Sequence, residues 1–466
     1  MRQLSIICFF CTLALPGCTI FGLSPHDTAP MNSTDLAIKH VYKMPKKMEP
    51  HQTRLNDPQL YQLISLALAD APDMRSANAR VMRARQLAQG AYAALWPSAT
   101  LNGDLQRQHF SFQGTVPPPF NELVVNKLNA ANIAMNFNYE IDFWGKNKEA
   151  LASRLSEAYA AQMDCNETRL VLSSAITTTY FELQNNIIQQ QLAKKNVRLQ
   201  QQLSDIVVDR AKQGIESDIP VKTAISNAQI ARLSVEDYKR AEMQSRHQLA
   251  VLTGKNPFNT KIDPAKFTYD KKQLVLPAIM PANLLAQRPD IASARALTEA
   301  AAHQINIAKT AFYPNVNLRG LLSAESLYFS NFFNLSFQTE GIKAAVDLPV
   351  FDAGTRRANL GVKYSEYEIA VNQYNKSILN ALRQATDQIS AMQTLDKQVQ
   401  DQTQALNGIE ANYKLFQSRY NQGIIDYVQL IEIKQLLLQQ KAVLRTLQTR
   451  QKQAFVALLT ALGDEV

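Results

Sequence analysis

Few residues in this chain stand where they could carry chemistry, and the first is a thiol. Cys18 closes Leu15-Pro16-Gly17-Cys18, behind a mostly apolar run from Leu4 to Leu15 that follows Arg2. The run is shorter than the ~20 apolar residues a membrane-spanning helix needs, so it reads as the core of a signal peptide. The spacing is that of a bacterial lipobox, in which a small residue precedes a cysteine that is acylated and becomes the mature N-terminus. The expected modification is a covalent lipid on Cys18, and no other cofactor is expected. Thr19, not Asp, follows it, which in lipoproteins of this kind goes with sorting to the outer membrane. An ordinary secretory signal with an incidental cysteine is the competing reading.

The remaining candidate groups are sparse. Cys8 and Cys11 would leave with the signal, so Cys165 is the one cysteine left and no intrachain disulfide framework exists. Its expected role is a small, at least half-buried helix residue. The six histidines are scattered, and none lies at metal-ligand spacing with Cys or an acid. The chain has no G-x-S-x-G, no phosphate-binding G-x-x-x-x-G-K-[ST], and no G-x-G-x-x-G after a strand. An enzyme is not expected. The net charge of +9 is spread along the sequence without a basic block, which argues against nucleic acid as a partner.

The elements that must position any functional residue are written twice. Pro72, Asp73, Pro97 and Gly103 recur as Pro289, Asp290, Pro314 and Gly320, at a constant offset of 217 residues. Gly145, Arg210, Gly214 and Gly254 recur as Gly354, Arg419, Gly423 and Gly463, at a constant offset of 209. The eight-residue difference falls on a loop of the first copy that contains Phe-Gln-Gly-Thr-Val-Pro-Pro-Pro-Phe-Asn. Fixed spacing of so many Pro and Gly marks an internal duplication.

Each copy reads helix, strand, strand, helix. Asp57 to Leu95 has helical periodicity and stops at Trp96-Pro97, since the residue before proline disfavours helix. Pro289 and Asp290 suit the first turn of the matching helix. The period then changes to two. Ile133, Met135, Phe137, Tyr139, Ile141 and Phe143 alternate with polar residues, as do Leu101, Gly103 and Leu105. The second copy offers a strand at 314–322 and another within 334–354, whose phase shifts near Glu340-Gly341 and suggests a bulge or bend there. Long helices follow. From Ala358 to Val399 a heptad-like seam runs through Leu360, Tyr364, Tyr367, Val371, Tyr374, Ile378, Ala381, Ala385, Ile389 and Met392. A helix of ~60 residues would be ~90 Å long.

Four strands with one apolar face cannot close a membrane barrel, which needs about eight or more. No run after the signal is long enough for a spanning helix, so the mature chain crosses a membrane only as strands of a closed barrel. Pooling three chains would supply twelve strands above a tube of long helices. Either the strands pack on a soluble core or several chains pool them; the lipid anchor, paired hairpins and long helices favour pooling, so the expected fold is α+β, with a long helical coiled-coil barrel and four strands per chain shared in a trimeric twelve-stranded barrel. The segments are a signal peptide at 1–17, a lipid-anchored extension at 18–55, a first repeat at 56–260, a linker at 261–280 and a second repeat at 281–466.

The stretches beginning Arg288-Pro289-Asp290 and Leu348-Pro349-Val350-Phe351-Asp352-Ala353-Gly354 resemble the TolC family of outer-membrane efflux proteins, in its lipidated OprM-like or NodT-like branch. The resemblance runs from about Asp57 to Gly463. It implies a homotrimeric exit duct, anchored in outer-membrane lipid and extending into the periplasm. It also implies partnership with a periplasmic adaptor and an inner-membrane transporter of the resistance-nodulation-division type. It assigns the helix tips Arg210-x-x-x-Gly214 and Arg419-x-x-x-Gly423 to adaptor docking. Val428 and Glu432 would form the narrowest apolar and acidic rings, with Asp426 nearby. The first tip departs from the family pattern at Pro220. Two other readings remain open: a periplasmic coiled-coil spacer held by its lipid alone, and a duct for secreted proteins of the type I kind.

Overall fold

A computed structural model describes residues 57–109, 127–258, 262, 264, 288–326 and 338–464. Cys18, the first-copy loop and most of the 261–280 linker lie outside them. The helices are α1 (Pro58–Asp70), α2 (Pro72–Ala93), α3 (Lys146–Lys212), α4 (Asp218–Leu252), α5 (Pro289–Thr310), α6 (Thr355–Asn421) and α7 (Tyr427–Leu462). The strands are β1 (Ser98–His109), β2 (Lys127–Ile141), β3 (Asn315–Ser326) and β4 (Gln338–Asp347). Among the described residues no helix is long and apolar enough to cross a membrane. The chain divides into two compact units, and each draws on both copies of the repeat.

The first unit takes in 82–160 and 294–373. Its four strands form one antiparallel sheet in the order β1-β2-β3-β4. The pairing carries each strand's alternation straight across the sheet. Met135 lies between Leu101 and Leu322, Phe137 between Ala99 and Gly320, and Ile141 opposite Val316, which faces Val346. The other face carries Asn102, Asp104, Asn132, Asn136, Asn138, Asn317 and Arg319. Gly320 leaves room for the Phe137 ring, since a Cβ there would sit 3.4 Å from Phe137 Cβ. The expected bulge near Glu340-Gly341 is not found: β3 and β4 pair residue for residue from Asn315 with Asp347 to Ala324 with Gln338. The shift in pattern comes from composition. Glu340 stays in phase and stands on the apolar face opposite Leu322.

Each long helix of this unit starts with an aspartate cap. Asp142 accepts from the Asn147 and Lys148 amides at 3.1 and 2.9 Å. Asp352 accepts from those of Gly354 and Arg356 at 3.1 and 3.0 Å. Such caps satisfy amides that a helix start leaves unpaired. Beside the first junction, the Trp144 ring stacks on Tyr313 at 4.7 Å and its indole N–H donates to the Pro314 carbonyl at 2.8 Å. Glu149 ties α3 to α5: its carboxylate lies 2.7 Å from His303 Nδ1 and accepts from Asn306 at 3.0 Å. Partial burial pushes the Glu149 carboxyl up, but these bonds outweigh it and hold the group below its usual range.

The second unit takes in the described parts of 31–81, 161–293 and 374–466. The single expected helix from Asp57 to Leu95 is two helices, α1 and α2, broken at Ala71. Ala71 is extended (φ −60°, ψ 137°), as the clash with the Pro72 ring requires. Leu60, Ile64 and Ala67 of α1 join Leu172, Ile176, Tyr180 and Leu183 of α3, with Leu249 and Val456, in one buried cluster. Each such Leu or Ile contributes about 1.5–3 kcal/mol. Cys165 is buried there as a free thiol. The α6 seam is also buried within this unit: Ala385 packs on Leu458 and Leu462, and Met392 on Phe455 and Leu459.

The duplication reappears as a repeated contact. Gly254 ends α4 with φ +70°, and a Cβ there would meet the Asp70 carbonyl at 3.2 Å and the Pro72 ring at 3.3 Å. Gly463 ends α7 with φ +81°, and a Cβ would meet Arg288 at 3.2 Å. Each copy thus closes its last helix, through a left-handed glycine, on the start of its own helix at the Pro72 or Pro289 position.

Candidate functional site

The two Arg-x-x-x-Gly stretches fold into the same turn. Gly214 (φ +74°) and Gly423 (φ +72°) adopt the left-handed conformation that glycine reaches without strain. The Gly214 amide donates to the Ala211 carbonyl, and that of Ile215 to the Arg210 carbonyl, both at 2.9 Å. The Gly423 amide donates to Tyr420 and the Ile424 amide to Arg419, again at 2.9 Å. The shared Gln-Gly-Ile therefore encodes a helix end whose last carbonyls are capped by the backbone.

The side chains diverge where the backbones agree. The Arg210 guanidinium lies 3.6 Å from Asp426 Oδ2 and 3.5 Å from Glu216 Oε1. It thereby joins the first-copy turn to the second. Arg419 is exposed. Asp426 also caps α7, accepting from the Gln429 amide at 3.0 Å. Ser217, its counterpart at offset 209, makes no side-chain cap bond to α4. The Tyr420 and Tyr427 rings meet at 5.3 Å across the second turn. Val428 is half-buried on the first turn of α7, and Glu432 is exposed one turn further on. Ile215, Ile219 and Ile424 are 61, 76 and 64 % exposed, so each turn presents apolar surface beside charge.

The structure brings Arg210 and Asp426 together and sets Val428 and Glu432 along one helix start. Neither the two carboxylates around Arg210 nor the tyrosine pair is foreseen by periodicity. The recurrence of Gln-Gly-Ile is the sequence signal that points to both exposed isoleucines. Among the described residues no group of three His, Cys, Asp or Glu could hold a metal ion.

The chain thus combines a duplicated sequence, a four-stranded antiparallel sheet and two pairs of long helices joined by matching turns. The family model for outer membrane efflux proteins matches residues 63–255 and 280–464. The multidrug resistance outer membrane protein MdtQ of Escherichia coli O157:H7 is 28% identical over 478 residues, covering 98% of this chain and 97% of that protein. The outer membrane protein VceC of Vibrio cholerae superposes with a TM-score of 0.74 at 27% identity, covering 88% of this chain and 98% of that one. The CmeC outer membrane channel of Campylobacter jejuni gives 0.82 at 20% identity, covering 96% and 94%. The chain belongs to the outer membrane efflux protein family, and its fold is that of the family's channels.

Proposed function

We propose that three copies of this chain form the exit duct of a tripartite efflux system, gated at the helix turns. The observation that carries the reading is the sheet: four strands, one largely apolar face, and two edge strands, β1 and β4, with no outer neighbour among the described residues. Such a sheet cannot close alone, and three of them make twelve strands, within the range of membrane barrels. The duct holds no chemistry of its own, so transport energy comes from an inner-membrane transporter of the resistance-nodulation-division type. A periplasmic adaptor reads the turns at Arg210, Gly214, Arg419 and Gly423, where exposed Ile215 and Ile424 offer apolar anchors. A lipid on Cys18 adds an anchor in the outer membrane. The relation to MdtQ supports small-molecule cargo such as drugs over secreted protein.

Gating follows from the turns. The Arg210–Asp426 pair is partly exposed and is worth ~0–1 kcal/mol. Three such latches hold a closed state weakly enough for a docking partner to open it. Glu432, repeated in three chains, forms an acidic ring that favours cations.

The test is native mass spectrometry of the protein in mild detergent, then recording in planar bilayers. A trimer with one lipid per chain that conducts ions is expected. Glu432→Ala should raise conductance or reduce cation preference. A stable lipidated monomer would replace the duct with the coiled-coil spacer.

A further inference from the structure

The three-copy reading leaves open how one copy's sheet meets the next, and the edge strands answer it. We propose that β4 of one copy pairs antiparallel with β1 of the next in a single register. That register sets Lys343 opposite Asp104, and Glu340 opposite Arg107, of the neighbouring copy.

Among the described residues, neither strand has a neighbour on its outer edge. β1 is exposed along its whole length and β4 along all but one residue. β1 carries Asp104 and Arg107, and β4 carries Glu340, Lys343 and Asp347, none of them in an ion pair among the described residues. Asp104 accepts a hydrogen bond from Asn132 at 3.1 Å. Lys343 stands directly opposite Arg319 of its own sheet, an arrangement of like charges that destabilises a pair. An acid on the other side of β4 would offset it. Glu340 stands on the apolar face opposite Leu322, where a charge facing lipid is costly unless partnered.

Two geometric conditions limit the register. The apolar faces must stay on one side, and a one-residue slip would flip every side chain. Even-numbered residues of β4 must therefore meet odd-numbered residues of β1, which leaves every second register. The second condition is tilt. The line of direct partners from Ser98 runs through Asn138 and Arg319 to Lys343. Continuing it to Asp104 of the next copy advances the chain six residues, ~20 Å, over four strand spacings, ~19 Å. The strands then tilt by ~45°, at the upper end of the range for membrane barrels.

The charges choose among what remains. Two residues one way, Lys343 faces Asn102 and Glu340 faces Leu105. Two residues the other way, Lys343 faces Gln106 and Ile342 faces Arg107. In the proposed register both charge pairs form at once, one on each face of the sheet. Ile342 then covers Leu105, Ala344 covers Gly103, and Val346 covers Leu101. Leu101, Leu105, Ile342 and Val346 are 67, 75, 84 and 65 % exposed in the single chain, and the seam is where they find neighbours.

The test uses the full-length chain with Cys165→Ser, extracted in mild detergent. Lys343→Cys with Asp104→Cys, and Ile342→Cys with Leu105→Cys, should give covalently linked chains with oxidant or a short bifunctional thiol reagent. Moving the second cysteine from Asp104 to Asn102 or Gln106 should lose most of the product. Separately, Asp104→Lys should lower the temperature at which the trimer dissociates, and adding Lys343→Asp should restore it. Stronger linking at Asn102 or Gln106, or no rescue by the charge exchange, overturns the register while leaving the trimer intact. A monomeric unsubstituted protein in native mass spectrometry overturns the three-copy reading itself.

Discussion

Lys452 is buried on α7, with its ammonium 4.8 Å from the centre of the Phe181 ring. Burial lowers its pKa to about 8, against the pull of the Asp57 carboxylate. Below pH 8 the folded protein therefore carries the net cost of a buried charge, the part that the ring and the Asp57 carboxylate do not offset. Between pH 8 and the unfolded value near 10.5 the folded lysine releases its proton first, and stability rises with pH. Lys452→Met should raise the thermal midpoint at pH 7, and the gain should shrink as pH climbs from 8 to 10. A difference between the two proteins that is constant with pH would show that the charge is not the cause. Gly463 allows a second prediction. Gly463→Ala meets both the left-handed strain and a 3.2 Å contact with Arg288, so it should cost about 1–2 kcal/mol in thermal or denaturant unfolding. Gly254→Ala should cost a similar amount, because the same contact closes the other repeat.

At the scale of elements, variants at the start of α7 would separate the proposed gate from the scaffold. Asp426→Ala loses both the helix cap and the Arg210 ion pair, whereas Asp426→Asn keeps a capping side chain and loses only the charge. If the pair latches the turns, both variants should increase bilayer conductance, and only Asp426→Ala should also lose about 1 kcal/mol of stability. Equal conductance in Asp426→Asn and the parent would remove the latch. Much of this level is legible in the sequence. Pro and Gly at fixed offsets mark the copies, and alternation over Ile133–Ile141 marks β2. The same alternation misleads at Glu340, because a carboxylate on the apolar face looks like a slip of phase until the register is known. The break at Ala71 is encoded by Pro72, yet helical periodicity on both sides conceals it. Contacts between distant residues, such as Glu149 with His303 or Arg210 with Asp426, leave no local pattern to read.

For the whole molecule, the proposed barrel and the proposed lipid on Cys18 would be separable anchors. Cys18→Ala, expressed behind an ordinary secretory signal, should remain in outer-membrane fractions after carbonate washing; release into the soluble fraction would show that the acyl chain alone held it. The bare edges of β1 and β4 have another consequence, in time and dosage. On the three-copy reading, completing a ring needs three chains, so its rate falls steeply as chains become scarce. Until then each newly folded chain presents two rows of backbone amides and carbonyls that are unpaired among the described residues, the feature that lets strands stack without limit. Too little expression prolongs this vulnerable stage, and too much lets open sheets join in chains of the wrong length. On that reading, cells that make this protein would have to hold its supply within a window, or shelter the single chain until its ring can close.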